Sequence, residues 1–272
     1  MSTPAAPPSS PPPDPTDPAD AIRAMVRDQY GAVARGAASG CAPSCCGPTP
    51  TAAAALGYSP DEQAAIPAGA DLGMGCGNPT ALAALRPGET VVDLGAGGGF
   101  DCFLAARQVG ATGRVIGVDM TPDMVTLARA NARRHGATNV EFRLGEIEHL
   151  PIADASADVI LSNCVVNLSP DKGAVFRDAF RVLRPGGRLA ISDVVATAPL
   201  PEHLAADRAA LTGCVAGAAS VETVGALLRA AGFVDVTVAI DAGSAAFIAD
   251  WLPGSGVERY IASAKITAHK PA

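Results

Sequence analysis

Glu89-Thr-Val-Val-Asp-Leu-Gly-Ala-Gly-Gly-Gly-Phe-Asp-Cys102 begins as a short apolar run and breaks at once into glycines. Its first six residues are rich in β-branched side chains, the composition of a strand buried on both faces of a parallel sheet. The run closes on Asp93, and Gly95, Gly97, Gly98 and Gly99 follow. Phe100–Val109 then reads as a helix, and Arg114–Val118 as a second strand ending in Asp119. Glycines here let the chain turn tightly and let a ligand approach bare amides beside a helix N-terminus. An acid at the tip of the second strand is placed to hold both hydroxyls of a ribose.

A dinucleotide fingerprint requires a third small residue three places after its second glycine, and Phe100 stands there. The spacing Asp93-x-Gly95-x-Gly97-x-Gly99 instead resembles the nucleotide loop of Rossmann-like S-adenosyl-L-methionine (SAM) methyltransferases. SAM has no pyrophosphate, so such a loop needs only to admit the sulfonium and amino-acid end against backbone. The resemblance implies an α/β, Rossmann-like sheet, mostly parallel with helices on both faces. It also implies cofactor contacts at Asp93, Gly95, Gly97, Gly99, Asp119 and Met120.

Composition narrows the alternatives. The 272 residues allow one large domain with an appendage. A net charge of −7 and no lysine–arginine cluster argue against nucleic acid as partner. No run approaches the ~18 apolar residues of a membrane span, and no basic-then-apolar leader is visible. Seven cysteines in a chain without an export signal are expected to be reduced thiols in the cytoplasm.

Upstream, residues 1–18 hold eight prolines and are expected to be a disordered tail. Asp17 and Pro18 suit the cap and first turn of a helix to about Arg35, with Ile22, Met25, Val26, Tyr30 and Val33 on one face. A loop with Cys41, Cys45 and Cys46 follows. Cys41-x₃-Cys45 has zinc-pair spacing but a second such pair is missing, and a disulfide between the neighbours Cys45 and Cys46 would be strained. Ser59-Pro-Asp-Glu62 is a capping box, Gly73-Met-Gly-Cys-Gly-Asn-Pro79 is a second glycine-rich loop carrying Cys76, and Asn78 caps a helix to Leu85.

Downstream the βα alternation continues: a helix from Pro122 to about Arg134, a strand Val140–Leu144, a strand Asp158–Ser162, a helix capped by Ser169-Pro170 to Leu183, and a strand Arg188–Val195. Gly145, Glu146 and Ile147 stand where such methyltransferases contact adenine. Asp93, Asp119, Gly145 and Asn163 all fall at strand carboxyl ends, where an open α/β sheet binds its ligands. Beyond residue 196 come a helix from Pro201 leading to Thr212-Gly-Cys-Val-Ala-Gly217, a helix Val221–Ala231, a strand Phe233–Ala239 and a final strand Ile261–Thr267. These parts divide the chain into 1–18, a helical and cysteine-loop segment 19–88, a cofactor domain 89–196 and a sheet-completing, substrate-side region 197–272.

The acceptor turns on the cysteines. Cys102 lies on the helix after the glycine loop and reads as a small buried hydrophobe. Cys76, Cys164 and Cys214 sit instead in loops of small residues. With Tyr30-Gly31, Cys45-Cys46-Gly-Pro48, Gly73–Pro79, Asp93–Cys102, Gly117–Pro122, Ser162–Lys172, Cys214–Ala218 and Trp251–Gly254, the chain resembles the arsenite SAM methyltransferases from about residue 25 to its end. The resemblance implies that Cys76, Cys164 and Cys214 hold trivalent arsenic, as arsenite or methylarsenite. It implies that an N-terminal thiol, Cys45 or Cys46 among them, assists, and that a small thiol such as glutathione or thioredoxin acts as reductant. Two other readings stand beside it: a SAM methyltransferase for a small carbon or oxygen acceptor of quinone or sterol type, and a non-catalytic thiol protein binding arsenic or zinc.

Overall fold

The computed structural model describes residues 17–37 and 51–272. The expected tail up to residue 16 and the loop with Cys41, Cys45 and Cys46 lie outside the described residues. Seven strands form one sheet: β1 (Thr90–Leu94), β2 (Arg114–Asp119), β3 (Val140–Leu144), β4 (Ala157–Asn163), β5 (Leu183–Ala196), β6 (Val234–Ile240) and β7 (Ile261–His269). Their order is β3-β2-β1-β4-β5-β7-β6. The first five are parallel, and β7 runs antiparallel to both β5 and β6.

Helices cover both faces. They are α1 (Pro18–Ala34), α2 (Thr51–Ala55), α3 (Pro60–Ala64), α4 (Pro79–Ala83), α5 (Phe100–Val109), α6 (Pro122–His135), α7 (Lys172–Val182), α8 (Glu202–Ala205), α9 (Arg208–Thr212), α10 (Val221–Ala230) and α11 (Ala245–Ile248). Because side chains alternate across a strand, the central strands split their apolar residues between two cores. Val91, Val115, Val159 and Leu161 pack under α5 and α6. Val92, Val118 and Ile160 pack on the other face with Val175, Phe176, Val224 and Leu228 of α7 and α10. Each such aliphatic side chain contributes roughly 1.5–3 kcal/mol by leaving water, so a one-residue slip of β1 would forfeit both cores.

Several boundaries differ from the sequence expectation. The Asp171 side chain, not Ser169, caps α7 by accepting from the Ala174 amide at 2.8 Å. Ser169 is recruited elsewhere, its hydroxyl donating to Glu148 Oε1 at 2.7 Å. β5 starts at Leu183 rather than Arg188, because Leu183 already pairs with Ala157 before the Arg184–Gly187 segment. The single helix expected from Pro201 is two short ones, α8 and α9, the second capped by Asp207 accepting from Ala210 at 2.9 Å. Two one-turn helices, α2 and α11, were not expected; at such length neither leaves a readable apolar period.

The strand order reverses at β1, which pairs with β2 on one side and β4 on the other. Connections leave β1 and β4 in opposite directions there, so a crevice opens at their carboxyl ends. Asp93, next to last in β1, and Asn163, last in β4, stand at its mouth.

Candidate active site

One cleft occupies the crevice. Asp93, Gly95, Gly97, Asp119, Met120 and Ile147 line one half, Cys164, Cys214, Leu168 and Trp251 the other, with Asn163 between them. In the first half, Gly97 has φ +51°, and a Cβ there would meet nothing nearer than Met74 Cε at 3.9 Å. Its backbone therefore faces open space, as a loop admitting a ligand against its amides requires. Gly99 serves a different end. A Cβ on it would come within 2.7 Å of Phe103 and 2.8 Å of Phe142, so it is needed for helix–strand packing at the start of α5.

Asp119 is held from both sides, Oδ2 accepting from the Gly97 amide at 2.9 Å and Oδ1 from the Thr121 amide at 2.8 Å. Burial pushes its carboxyl above the ordinary value, and these two amides pull it back. Asp93 is 3 % exposed, and burial raises it well above the ordinary value, with the charge of Asp101 adding. Its Oδ2 accepts from the Cys102 thiol at 3.1 Å. Cys102 is thus a buried donor to a cofactor-side acid rather than a plain hydrophobe. Of the expected adenine residues only Ile147 lines the cleft. A Cβ on Gly145 would press on Pro151 at 2.7 Å, and Glu146 turns to α1, pairing with Arg27 at 3.4 Å and Arg23 at 3.5 Å.

In the second half Cys164 and Cys214 line the cleft, and Cys76 is buried beside Cys164 behind it. Cys76 and Cys214 are each 2 % exposed, and Cys164 is partly buried. The Cys214 thiol donates to the Cys164 carbonyl at 2.7 Å. Cys164 and Cys214 take φ values of +57° and +64°, a left-handed backbone that costs a side-chain-bearing residue about 1–3 kcal/mol and concentrates at functional sites. Hydrogen bonds from Cys214 and then Cys76 hold the Cys164 thiol well below the usual range. Cys76 moves up by burial, and Cys214 moves up chiefly because it donates to Cys164. The cluster thus sets one easily formed thiolate beside two thiols that resist ionisation.

Asn163 joins the halves. Its Oδ1 accepts from the Cys76 amide at 3.0 Å. Its Nδ2 lies 2.9 Å from the Gly77 carbonyl, 3.0 Å from the Tyr58 hydroxyl and 3.1 Å from Asp101 Oδ2. The Tyr58 hydroxyl donates to Asp101 Oδ1 at 2.7 Å. Burial raises the Asp101 carboxyl to about 6 against these two donors. The Cys76 loop is pinned further by Ser263 of β7, whose hydroxyl donates to the Cys76 carbonyl at 2.7 Å.

A methyltransferase-domain family profile matches residues 85–232. An arsenite methyltransferase of Halobacterium salinarum is 52 % identical over 261 residues, covering 92 % of this chain and 67 % of that protein. The chain belongs to the arsenite methyltransferase family. It is a SAM-dependent methyltransferase of this type. The human arsenite methyltransferase is 38 % identical over 152 residues, 53 % of this chain and 40 % of that protein, so this chain spans well under half of that relative. Among solved structures, an arsenic(III) SAM methyltransferase from Chlamydomonas reinhardtii shares 34 % identity at a TM-score of 0.59, over 83 % of this chain and 75 % of that one.

The cleft and the shell around it contain residues that sequence reading did not single out. Tyr58 carries no motif. Asp101 reads as an ordinary first-turn acid that favours a helix N-terminus. Asp193, 2 % exposed within β5, stands with Cys76 and Cys164 in one cluster of metal-capable groups.

The geometry at Asp119 sets a first test. Two amides fix its carboxylate while lone pairs remain for ribose hydroxyls, and hydrogen bonds to a charged acceptor are worth about 1.5–3 kcal/mol each. Asp119→Ala is expected to weaken SAM binding by roughly 10²-fold in isothermal calorimetry. Unchanged affinity would remove Asp119 from the ribose role.

Proposed function

We propose that Cys76, Cys164 and Cys214 hold trivalent arsenic at the inner half of the cleft for methylation. The observation that carries the reading is that Cys76 and Cys164 lie within 4.8 Å of each other and the Cys214 thiol reaches the Cys164 carbonyl, three thiols from loops about 50 to 140 residues apart beside a cofactor crevice in a chain of this family. Arsenite, As(OH)₃, would exchange each hydroxyl for a thiolate sulfur. Each thiol proton leaves with a hydroxyl as water, so the exchange is balanced without an added acid or base. Cys164, the most acidic of the three, would attack first.

Soft thiolates suit this soft centre, and three of them leave its lone pair free. SAM supplies a methyl carbon activated by a positive sulfur for in-line displacement by that lone pair. Asp119 and the Gly97 backbone orient the nucleoside end, and Asn163 fixes the thiol loop against it. Holding reacting groups in line supplies roughly 7–11 kcal/mol of such a barrier, and no histidine or carboxylate base is needed. The lone pair enters the new arsenic–carbon bond, so a small thiol of glutathione or thioredoxin type must return two electrons before another round. Cys45 and Cys46 would assist in capturing arsenite. Among the described residues no helix is long and apolar enough to cross a membrane. We place the reaction in the thiol-rich cytoplasm.

The deciding measurement incubates the protein with SAM, a thiol and arsenite, then separates the arsenic species. Methylated arsenic is the expected product. A chain that binds SAM yet leaves arsenite unmethylated would return the reading to a carbon or oxygen acceptor.

A further inference from the structure

Asp193 is a buried carboxylate without a cation of its own. It is 2 % exposed, and its hydrogen bonds are to amides: Oδ1 accepts from Asn167 Nδ2 at 2.9 Å and from its neighbour Val194 at 2.8 Å, and Oδ2 from the Asn167 backbone at 3.4 Å. Among the described residues no ion pair within 4.0 Å reaches it, and Lys172 acts on it only from farther away. A buried carboxyl is ordinarily fully hydrogen-bonded, paired or bound to a metal, and Oδ2, with its single long contact, keeps a lone pair unused. An oxygen of this carboxylate and the sulfurs of Cys76 and Cys164 all lie within 4.8 Å of one another. Beside them the Ser192 hydroxyl is buried with no hydrogen-bond partner.

We infer that Cys76, Cys164 and Asp193 form a site for a borderline-soft divalent cation of the Zn²⁺ or Cd²⁺ class. The donor set decides the class. Trivalent arsenic takes sulfurs and keeps a lone pair, so it has no use for a carboxylate. Zinc takes cysteine sulfur at about 2.3 Å and carboxylate oxygen at about 2.0–2.2 Å in a tetrahedron, and needs only a modest contraction of this cluster. Magnesium or calcium would be held by oxygens, not by two thiolates. On binding, whichever of the two thiols and the carboxyl carry protons release them to solvent, and the cation takes both thiolates and the carboxylate. A fourth position stays open for water or Cys214.

The cation therefore uses two of the thiols assigned above to arsenic, and the two substances exclude each other. That competition rests on the arsenic reading; the cation site does not. Asp193 separates the two, because it serves the divalent cation alone.

The test uses the reduced full chain carrying Cys41→Ser, Cys45→Ser and Cys46→Ser, so that only the described thiols report. Co²⁺ is the probe, read by its sulfur-to-cobalt charge-transfer band, and arsenite binding is read by fluorescence of the sole tryptophan, Trp251, which lines the cleft. One equivalent of Co²⁺ should bind, and Zn²⁺ and arsenite should each displace it. Asp193→Asn should weaken Zn²⁺ by about tenfold or more and leave arsenite affinity roughly unchanged. Absence of the cobalt band, or a Zn²⁺ affinity indifferent to Asp193→Asn, would overturn the site. If Asp193→Asn does not fold, Cys76→Ser must abolish tight Co²⁺ binding, and retention there overturns it equally. Cobalt bound through Asp193 but not displaced by arsenite would leave the cation site standing and remove the arsenic assignment.

Discussion

Cys164→Ser should reduce methylation of arsenite and of methylarsenite to background. Cys164 stands beside both other thiols and is the one held well below the usual thiol range. Its replacement removes a ligand, and the most readily ionised of the three. Loss of a residue that merely orients a metal ligand costs 10–100-fold, so loss of the ligand itself should exceed roughly 10²-fold. Serine keeps the size but not the soft donor, and an alkoxide is far harder to form than a thiolate. Cys102→Ser is the control. Cys102 is fully buried, but its thiol donates to Asp93, a bond that a serine hydroxyl can replace. Rates of both variants with each arsenical, alongside SAM affinity by calorimetry, make the check. Substantial activity in Cys164→Ser, or equal inactivity in Cys102→Ser, would show that the acceptor site lies elsewhere.

Asn163→Ala should damage both halves of the cleft at once. The asparagine is the single side chain that accepts from the Cys76 amide and also donates toward Asp101 on the cofactor side. Removing it leaves the Cys76 amide and the Gly77 carbonyl without that partner, and a buried group so stranded costs about 1–3 kcal/mol. Arsenite affinity by Trp251 fluorescence should therefore fall roughly 10–100-fold, with SAM affinity falling as well. Tyr58→Phe is the milder companion. It deletes the 2.7 Å bond to Asp101 and removes one acceptor of the Asn163 amide, yet leaves the Cys76 amide bonded. Its effect on arsenite should be smaller than that of Asn163→Ala. Arsenite affinity untouched in Asn163→Ala would mean that the Cys76 loop is held without the clamp, and the coupling of the two halves would have to be abandoned.

The architecture was legible in the chain because it rests on local, periodic signals. The apolar run ending at Asp93, the glycine loop and the strand ending at Asp119 are contiguous. Their spacing follows from how a strand must turn into a helix, so β1, α5 and β2 lie close to where the residues place them. Caps behave similarly: Asp17, Ser59 and Asn78 act on amides two or three residues away. Local signals failed where a long-range partner outbid them. Ser169 looks like a helix cap but its hydroxyl is taken by Glu148.

What the sequence by itself determined, then, is the sheet, the cofactor loop and the identity of the unusual thiols. What only the tertiary structure decided is how those thiols meet and what stands beside them. Cys76 is brought to Cys164 because β4, β5 and β7 lie side by side: Asn163 bonds its amide, Ser192 lies 2.8 Å from where a Cβ on Gly77 would be, and Ser263 bonds its carbonyl. These contacts join residues 87 and 187 positions apart, and no periodicity or spacing along a chain encodes such a distance. The same holds for Asp193. In sequence it is one acid in an apolar strand; only the packing of β5 against the Cys76 loop turns it into a buried carboxylate among sulfurs. Hydrogen bonding and metal affinity depend on separation in space, and separation in space is settled when the sheet closes.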